Sequence, residues 1–115
     1  MIQIHFYRNE DSLKLTMHGH AGYAEKGQDI VCAAVTAEAY TLAQAICDYD
    51  GSGFLDGDPE ICMEEGNVCI ACKPRPEAMA MISHDYFVIA RGLQLLSTTY
   101  GDYISISVFG QDDMS

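Results

Sequence analysis

Apolar and polar residues alternate from the second position. Ile2, Ile4 and Phe6 are set against Gln3, His5 and Tyr7, and after the polar stretch 9–12 come Leu13, Leu15 and Met17. A period of two places each set on one face of a strand, so two such runs around a short polar break predict a β-hairpin. The stretch 20–28 has glycines at 22 and 27 and no period, which predicts an irregular loop. From Ile30 to about Asp50 the chain is Ala-rich, and Val35, Leu42 and Ile46 predict a long helix. Asp29 is its expected N-cap, because a carboxylate there accepts otherwise unpaired N–H groups and suits the positive end of the helix dipole. Asp50-Gly51-Ser52-Gly53 ends the helix, and the acidic segment up to Pro59 predicts a loop.

A second hairpin is predicted over 60–64 and 67–73. It turns at Glu65-Gly66, with Ile61 and Met63 facing partners among Val68, Ile70 and Cys72, and ends at Pro74 and Pro76. Met81, Ile82, Phe87, Ile89, Leu93 and Leu96 predict a second helix over 77–100, kinked or broken near 83–85. Ile104, Ile106 and Val108 predict a last strand. The order ββαββαβ predicts an α+β fold for 1–115 as one domain: a mostly antiparallel sheet of about five strands with two helices packed on one face.

Composition bounds the partners. At 115 residues and 49% apolar, the chain can close one modest core. Its net charge of −11 opposes phosphate backbones, so nucleic acid is excluded as a direct partner, while basic peptides are favoured and anionic membranes repelled. The first eight residues lack the basic leader and apolar run of a secretory signal. No apolar stretch is expected to approach the roughly 18 to 20 residues needed to span a bilayer. The expectation is a cytoplasmic protein without a membrane partner. Five cysteines, an odd number, would there be kept reduced.

One of these thiols sits where chemistry is expected. With Asp29 as N-cap, Cys32 is the third helical residue, near unpaired N–H groups and the positive dipole end, a setting that lowers a thiol pKa. Only the thiolate attacks, so an imidazole that takes its proton and returns it to a leaving amine completes the nucleophile. His20, ending the second strand, is the candidate base. The N–H of Cys32 and its neighbours would receive an oxyanion. Asp29 either orients His20 or caps the helix, and both roles are open.

As a set, Gly19-His20-Ala21-Gly22-Tyr23-Ala24 and Gly27-Gln28-Asp29-Ile30-Val31-Cys32-Ala33-Ala34-Val35 resemble the signature of the bacterial ribosomal-processing cysteine protease family. The likeness extends more loosely over the whole chain, to the Gly101-Asp102-Tyr103-Ile104 approach to the last strand. It implies a Cys32–His20 pair, Asp29 as the motif aspartate, and Gly19 and Gly22 as loop glycines. It also implies the family's activity, removal of the short N-terminal extension of large-subunit ribosomal protein bL27 after an aromatic-ending apolar segment, and its homodimeric state. One departure is Thr36, where the family commonly has serine; a hydroxyl is retained, and packing there must admit a methyl group. By this resemblance the loop 20–28, with hinges at Gly22 and Gly27, would order over a bound peptide.

His18 and His20, with Cys69-x-x-Cys72, have ligand-like spacing, but strand residues three apart face opposite sides and no second paired motif follows, so no metal and no cofactor are expected. The first hairpin would allow His5 and His18 to face one another, but solvated or hydrogen-bonded strand histidines are the expected outcome; Cys47 and Cys62 are expected to be packing residues, and His84 a cap or surface residue. Tyr23, Tyr40 and Tyr86 are candidates for lining a peptide groove, although aromatic residues mostly serve cores. No Lys-Ser or Lys-Thr follows Gly27, so the glycines do not form a phosphate loop. A thiol oxidoreductase would need a resolving cysteine close to Cys32, and none is present. The alternative from another class is a non-catalytic, acidic ribosome-assembly module holding a basic ribosomal protein, which would tolerate Cys32→Ala.

Overall fold

The alternation of the first eighteen residues produces β1 (Ile2–Arg8) and β2 (Leu13–His18), an antiparallel hairpin in which Ile4 faces Met17 and Phe6 faces Leu15. Asn9 closes the turn, its Oδ1 accepting from the backbone N–H groups of Asp11 and Ser12 and from the Ser12 hydroxyl. This is a computed structural model, and it describes residues 1–25 and 28–108. Gly27, one of the two expected hinges, lies outside the described residues. There follow α1 (Ile30–Gly51), β3 (Glu60–Glu64), β4 (Asn67–Cys72), a 3-10 turn at Pro76–Ala78, α2 (Met79–Thr99) and β5 (Ile104–Val108).

The strands run in the order β3-β4-β2-β1-β5. All neighbours are antiparallel except β1 and β5, which are parallel. Both helices lie on one face, where Ile4, Leu15 and Ile70 meet Val31, Leu42, Ile46, Ile82 and Leu93, all fully buried. Each such side chain contributes about 1.5–3 kcal/mol by leaving water. The non-sequential step matters for function: β4 lies beside β2 with Asn67 opposite His18, so the β3–β4 turn reaches the end of β2.

Some expectations hold and others are corrected. α2 runs unbroken through 83–85, because Ile82, Tyr86 and Ile89 keep its buried stripe continuous and the Tyr49 hydroxyl on α1 donates to the Asp85 carboxylate. That hydrogen bond, with some burial, pushes the Tyr49 pKa up to about 12. His84 is exposed on α2 and stacks on Phe87. His5 stands opposite Thr16, and His18 opposite Gln3, so the two histidines do not face each other. Cys72 is buried in the core, whereas Cys69 lies on the other face between Thr16 and the half-buried Cys62. Cys47 is exposed rather than packed. At 22 residues, α1 is long and apolar enough to cross a bilayer, which the sequence expectation missed. Its Val31, Val35, Leu42 and Ile46 side is buried against the protein's own core.

Tyr86 is likewise core and not groove: it is buried and its hydroxyl donates to the Ile70 carbonyl at 3.1 Å. Tyr86→Phe removes this buried hydrogen bond, and chemical denaturation is expected to register a loss of about 1 kcal/mol.

Candidate active site

Two chain segments meet at the start of α1. Asp29 has the extended backbone of an N-cap, and its Oδ1 accepts from the Cys32 N–H at 2.9 Å. Its second oxygen accepts from the Tyr23 N–H at 3.1 Å, so one carboxylate ties the loop after β2 to the helix. Partial desolvation pushes the Asp29 pKa up, but hydrogen bonds from the Cys32, Tyr23 and Ala24 N–H groups outweigh it and hold the carboxyl below its usual value. The clasp is therefore complete at neutral pH and weakens only below the ordinary aspartate range. Tyr23 adds a second anchor, its ring edge-on to Tyr100 and Tyr103 at centroid distances of 5.7 and 5.2 Å.

Both oxygens of Asp29 are spent on backbone, and among the described residues no hydrogen bond joins it to His20. Of the two roles left open for Asp29, the structure displays the cap.

The Cys32 thiol is half-buried and accepts from the Ala21 N–H at 3.4 Å, while Ala21 itself is buried against the core. Its surroundings do not lower its pKa as the helix position suggested. Desolvation lifts the thiol above its ordinary value, and the Asp29 charge lifts it further, against the pull of the Ala21 N–H. The Cys32 N–H is not a free oxyanion donor, since Asp29 holds it, and the Ala33 N–H donates to the Asp29 carbonyl at 3.0 Å.

His20 and Cys32 line one cavity of about 870 Å³ together with Asp29, Gly19, Gly22 and Thr36. Among the described residues no hydrogen bond joins the imidazole to the thiol. The His20 ring lies against the β3–β4 turn, where a Cβ built on Gly66 would sit 2.9 Å from Nε2. Tyr40 also lines the cavity, as expected of a groove residue, whereas Tyr23 and Tyr86 do not. Apolar walls come from Ile2, Met17, Val35, Met63 and Val68, and the rim carries Glu64 and Glu65.

Removing the Asp29 charge while keeping an acceptor at the cap isolates its effect on the sulfur. In Asp29→Asn, alkylation of Cys32 by iodoacetamide, followed by mass spectrometry of the Cys32 fragment at pH 8, is expected to quicken by up to about five-fold, since the Asp29 charge raises the thiol pKa and so holds down its thiolate fraction.

Comparison with known proteins shows the family of the chain. Residues 1–105 match the family described as cysteine protease Prp. The chain belongs to that family. It is 46% identical over 48 residues to the ribosomal processing cysteine protease Prp of Bacillus subtilis, a stretch that spans 40% of this chain and 43% of that relative's length. The fold is similar to that of an essential ribosomal processing protease Prp from Staphylococcus aureus, solved with a covalently linked product peptide. The TM-score is 0.72 at 23% identity, over 95% of this chain and 100% of the other. A Streptococcus mutans protein gives a TM-score of 0.67 at 22% identity, over 96% of both chains.

Sequence reasoning missed the part of the cavity supplied by the β3–β4 turn. Glu65-Gly66 was legible as a turn, but its place beside His20 depends on β4 pairing with β2, for which no local signal exists.

Proposed function

We propose that this chain is a cysteine endopeptidase in which Cys32 is the nucleophile and His20 the general base and acid. The observation that carries the proposal is that Cys32 and His20 open into one apolar-walled cavity in a member of the Prp family. His20 takes the thiol proton as sulfur attacks the peptide carbonyl, and the same proton goes to the leaving amine as the C–N bond breaks. The acyl group is then held as a thioester on Cys32, which water, deprotonated by His20, hydrolyses to regenerate the thiol. The Ala21 N–H, already donating to the sulfur, steadies the thiolate as it forms. His20 is exposed and shares the cavity with the sulfur.

The substrate of this reading is the N-terminal extension of ribosomal protein bL27. Support comes from the ribosomal processing role in the name of the B. subtilis relative and from the net charge of −11, which attracts a basic protein. The apolar walls suit the apolar segment preceding the cut, and Thr36 on the cavity keeps a hydroxyl there. The enzyme would act in the cytoplasm as a homodimer and without a cofactor.

The test is incubation of a peptide spanning the extension junction with native protein, Cys32→Ala and His20→Ala, read by mass spectrometry. A single cut by native protein that both variants lose supports the endopeptidase. Binding of equal strength by all three proteins without any cut would overturn it in favour of the acidic assembly module.

A further inference from the structure

Asp29 does not fix the His20 ring: its carboxylate accepts from the backbone N–H groups of Cys32 and Tyr23. What the ring does touch is the hairpin turn between β3 and β4. A Cβ at Gly66 would fall 2.9 Å from Nε2, 3.3 Å from Cε1 and 3.7 Å from Cδ2, so the imidazole lies in the space that any side chain at 66 would fill. The same residue holds the backbone on the other side of His20, since the Gly66 carbonyl accepts from the Gly19 N–H at 3.0 Å. Ring and main chain are thus both registered to one residue of a distant hairpin.

We infer that Gly66 is a positioning residue for the reaction: its missing side chain forms the seat of the His20 imidazole, and the β3–β4 turn sets where that ring points. The inference rests on the proposed role of His20 as base. A hairpin turn is a suitable support because it is braced by β4 pairing with both β2 and β3, while His20 lies two residues past the end of β2 and leads into a loop. Proton transfer tolerates little misplacement: an error of about 1 Å in a reacting group costs on the order of 100-fold. A methyl group at 66 meets ring atoms well inside van der Waals contact, so the ring must move.

Gly66 has φ of +74°, so Gly66→Ala also strains the backbone. Gly53 supplies the control, with φ of +79° and nothing within 4 Å of a Cβ there, remote from the cavity. Both variants carry the same kind of strain, and only Gly66→Ala carries the clash.

Two measurements decide the matter. With the bL27 junction peptide as substrate, Gly66→Ala is expected to lose roughly 10- to 100-fold in kcat with KM within about two-fold of native, while Gly53→Ala keeps native kcat. Without any substrate, the imidazole nitrogen and carbon NMR signals of His20, assigned by their loss in His20→Ala, are expected to move in Gly66→Ala and to stay in place in Gly53→Ala. Unmoved His20 signals, or a kcat equal to that of Gly53→Ala, would overturn the seat. Signals that move in Gly66→Ala, together with a native protein that cuts no junction peptide, would leave the seat standing and refute the proposed activity.

Discussion

Cys32→Ala is expected to lose at least about 10⁴-fold in cleavage of the junction peptide while unfolding within a few degrees of the native protein. The large loss follows from covalent chemistry: no other group lining the cavity is a thiol, and without sulfur the acyl intermediate has nowhere to form. The small stability change follows from the position. Cys32 is only half-buried, its Sγ accepts a long hydrogen bond from the Ala21 N–H beside its contact with the Asp29 carboxylate, and the N–H that Asp29 caps belongs to the backbone and survives the substitution. Cleavage assays with matched thermal denaturation check both halves. An inactive variant that is also unfolded would show that Cys32 is structural.

Gly19→Ala is expected to be the most damaging single methyl addition near the site. Gly19 has φ of +93°, which L side chains rarely adopt, and its Cβ would lie 2.7 Å from the Met1 carbonyl oxygen. That oxygen is backbone, so relief requires moving β1 or the corner that carries His20. Strain of this kind costs about 1–3 kcal/mol, a fall in melting temperature on the order of 10 °C for a domain of this size. Because Gly19 also donates to Gly66 and directly precedes His20, activity at temperatures where the variant is folded is expected to drop more than about 10-fold. Gly22 offers the comparison: its φ of +74° brings strain, but nothing lies within 4 Å of a Cβ there. Gly22→Ala is thus expected to cost about 1 kcal/mol with less effect on the corner.

The local elements were legible because each carries its own period. The alternation in β1 and β2, the Asp29 cap and the turn at Glu65-Gly66 all stand where the residues put them. The break expected at 83–85 was a propensity argument, and it failed because Ser83, His84 and Asp85 are poor helix formers held by their neighbours: the stripe from Ile82 to Ile89 and the Tyr49–Asp85 contact outweigh local preference. The site was legible in part. Cys32, His20, Asp29 and Thr36 do share one cavity. The charge state of the thiol was misjudged because the helix start suggested lowering, while partial burial, a tertiary quantity, dominates. The free oxyanion donors were misjudged for a related reason, since the cap that shapes the helix start consumes the Cys32 N–H. Gly66 was recognised as a turn residue and nothing more, because its second role exists only once β4 lies beside β2.

The central claim is that Cys32, served by His20, attacks a peptide carbonyl. It is tested most directly with a peptide ending at the expected cut and carrying a chloromethyl ketone, which alkylates a nucleophile placed at the scissile carbonyl. After incubation and proteolytic fragmentation, mass spectrometry is predicted to find one peptide per chain on the fragment containing Cys32, with slower labelling in His20→Ala and protection by the uncut junction peptide. An unlabelled Cys32, or label carried by Cys47, Cys62 or Cys69 instead, would contradict the account.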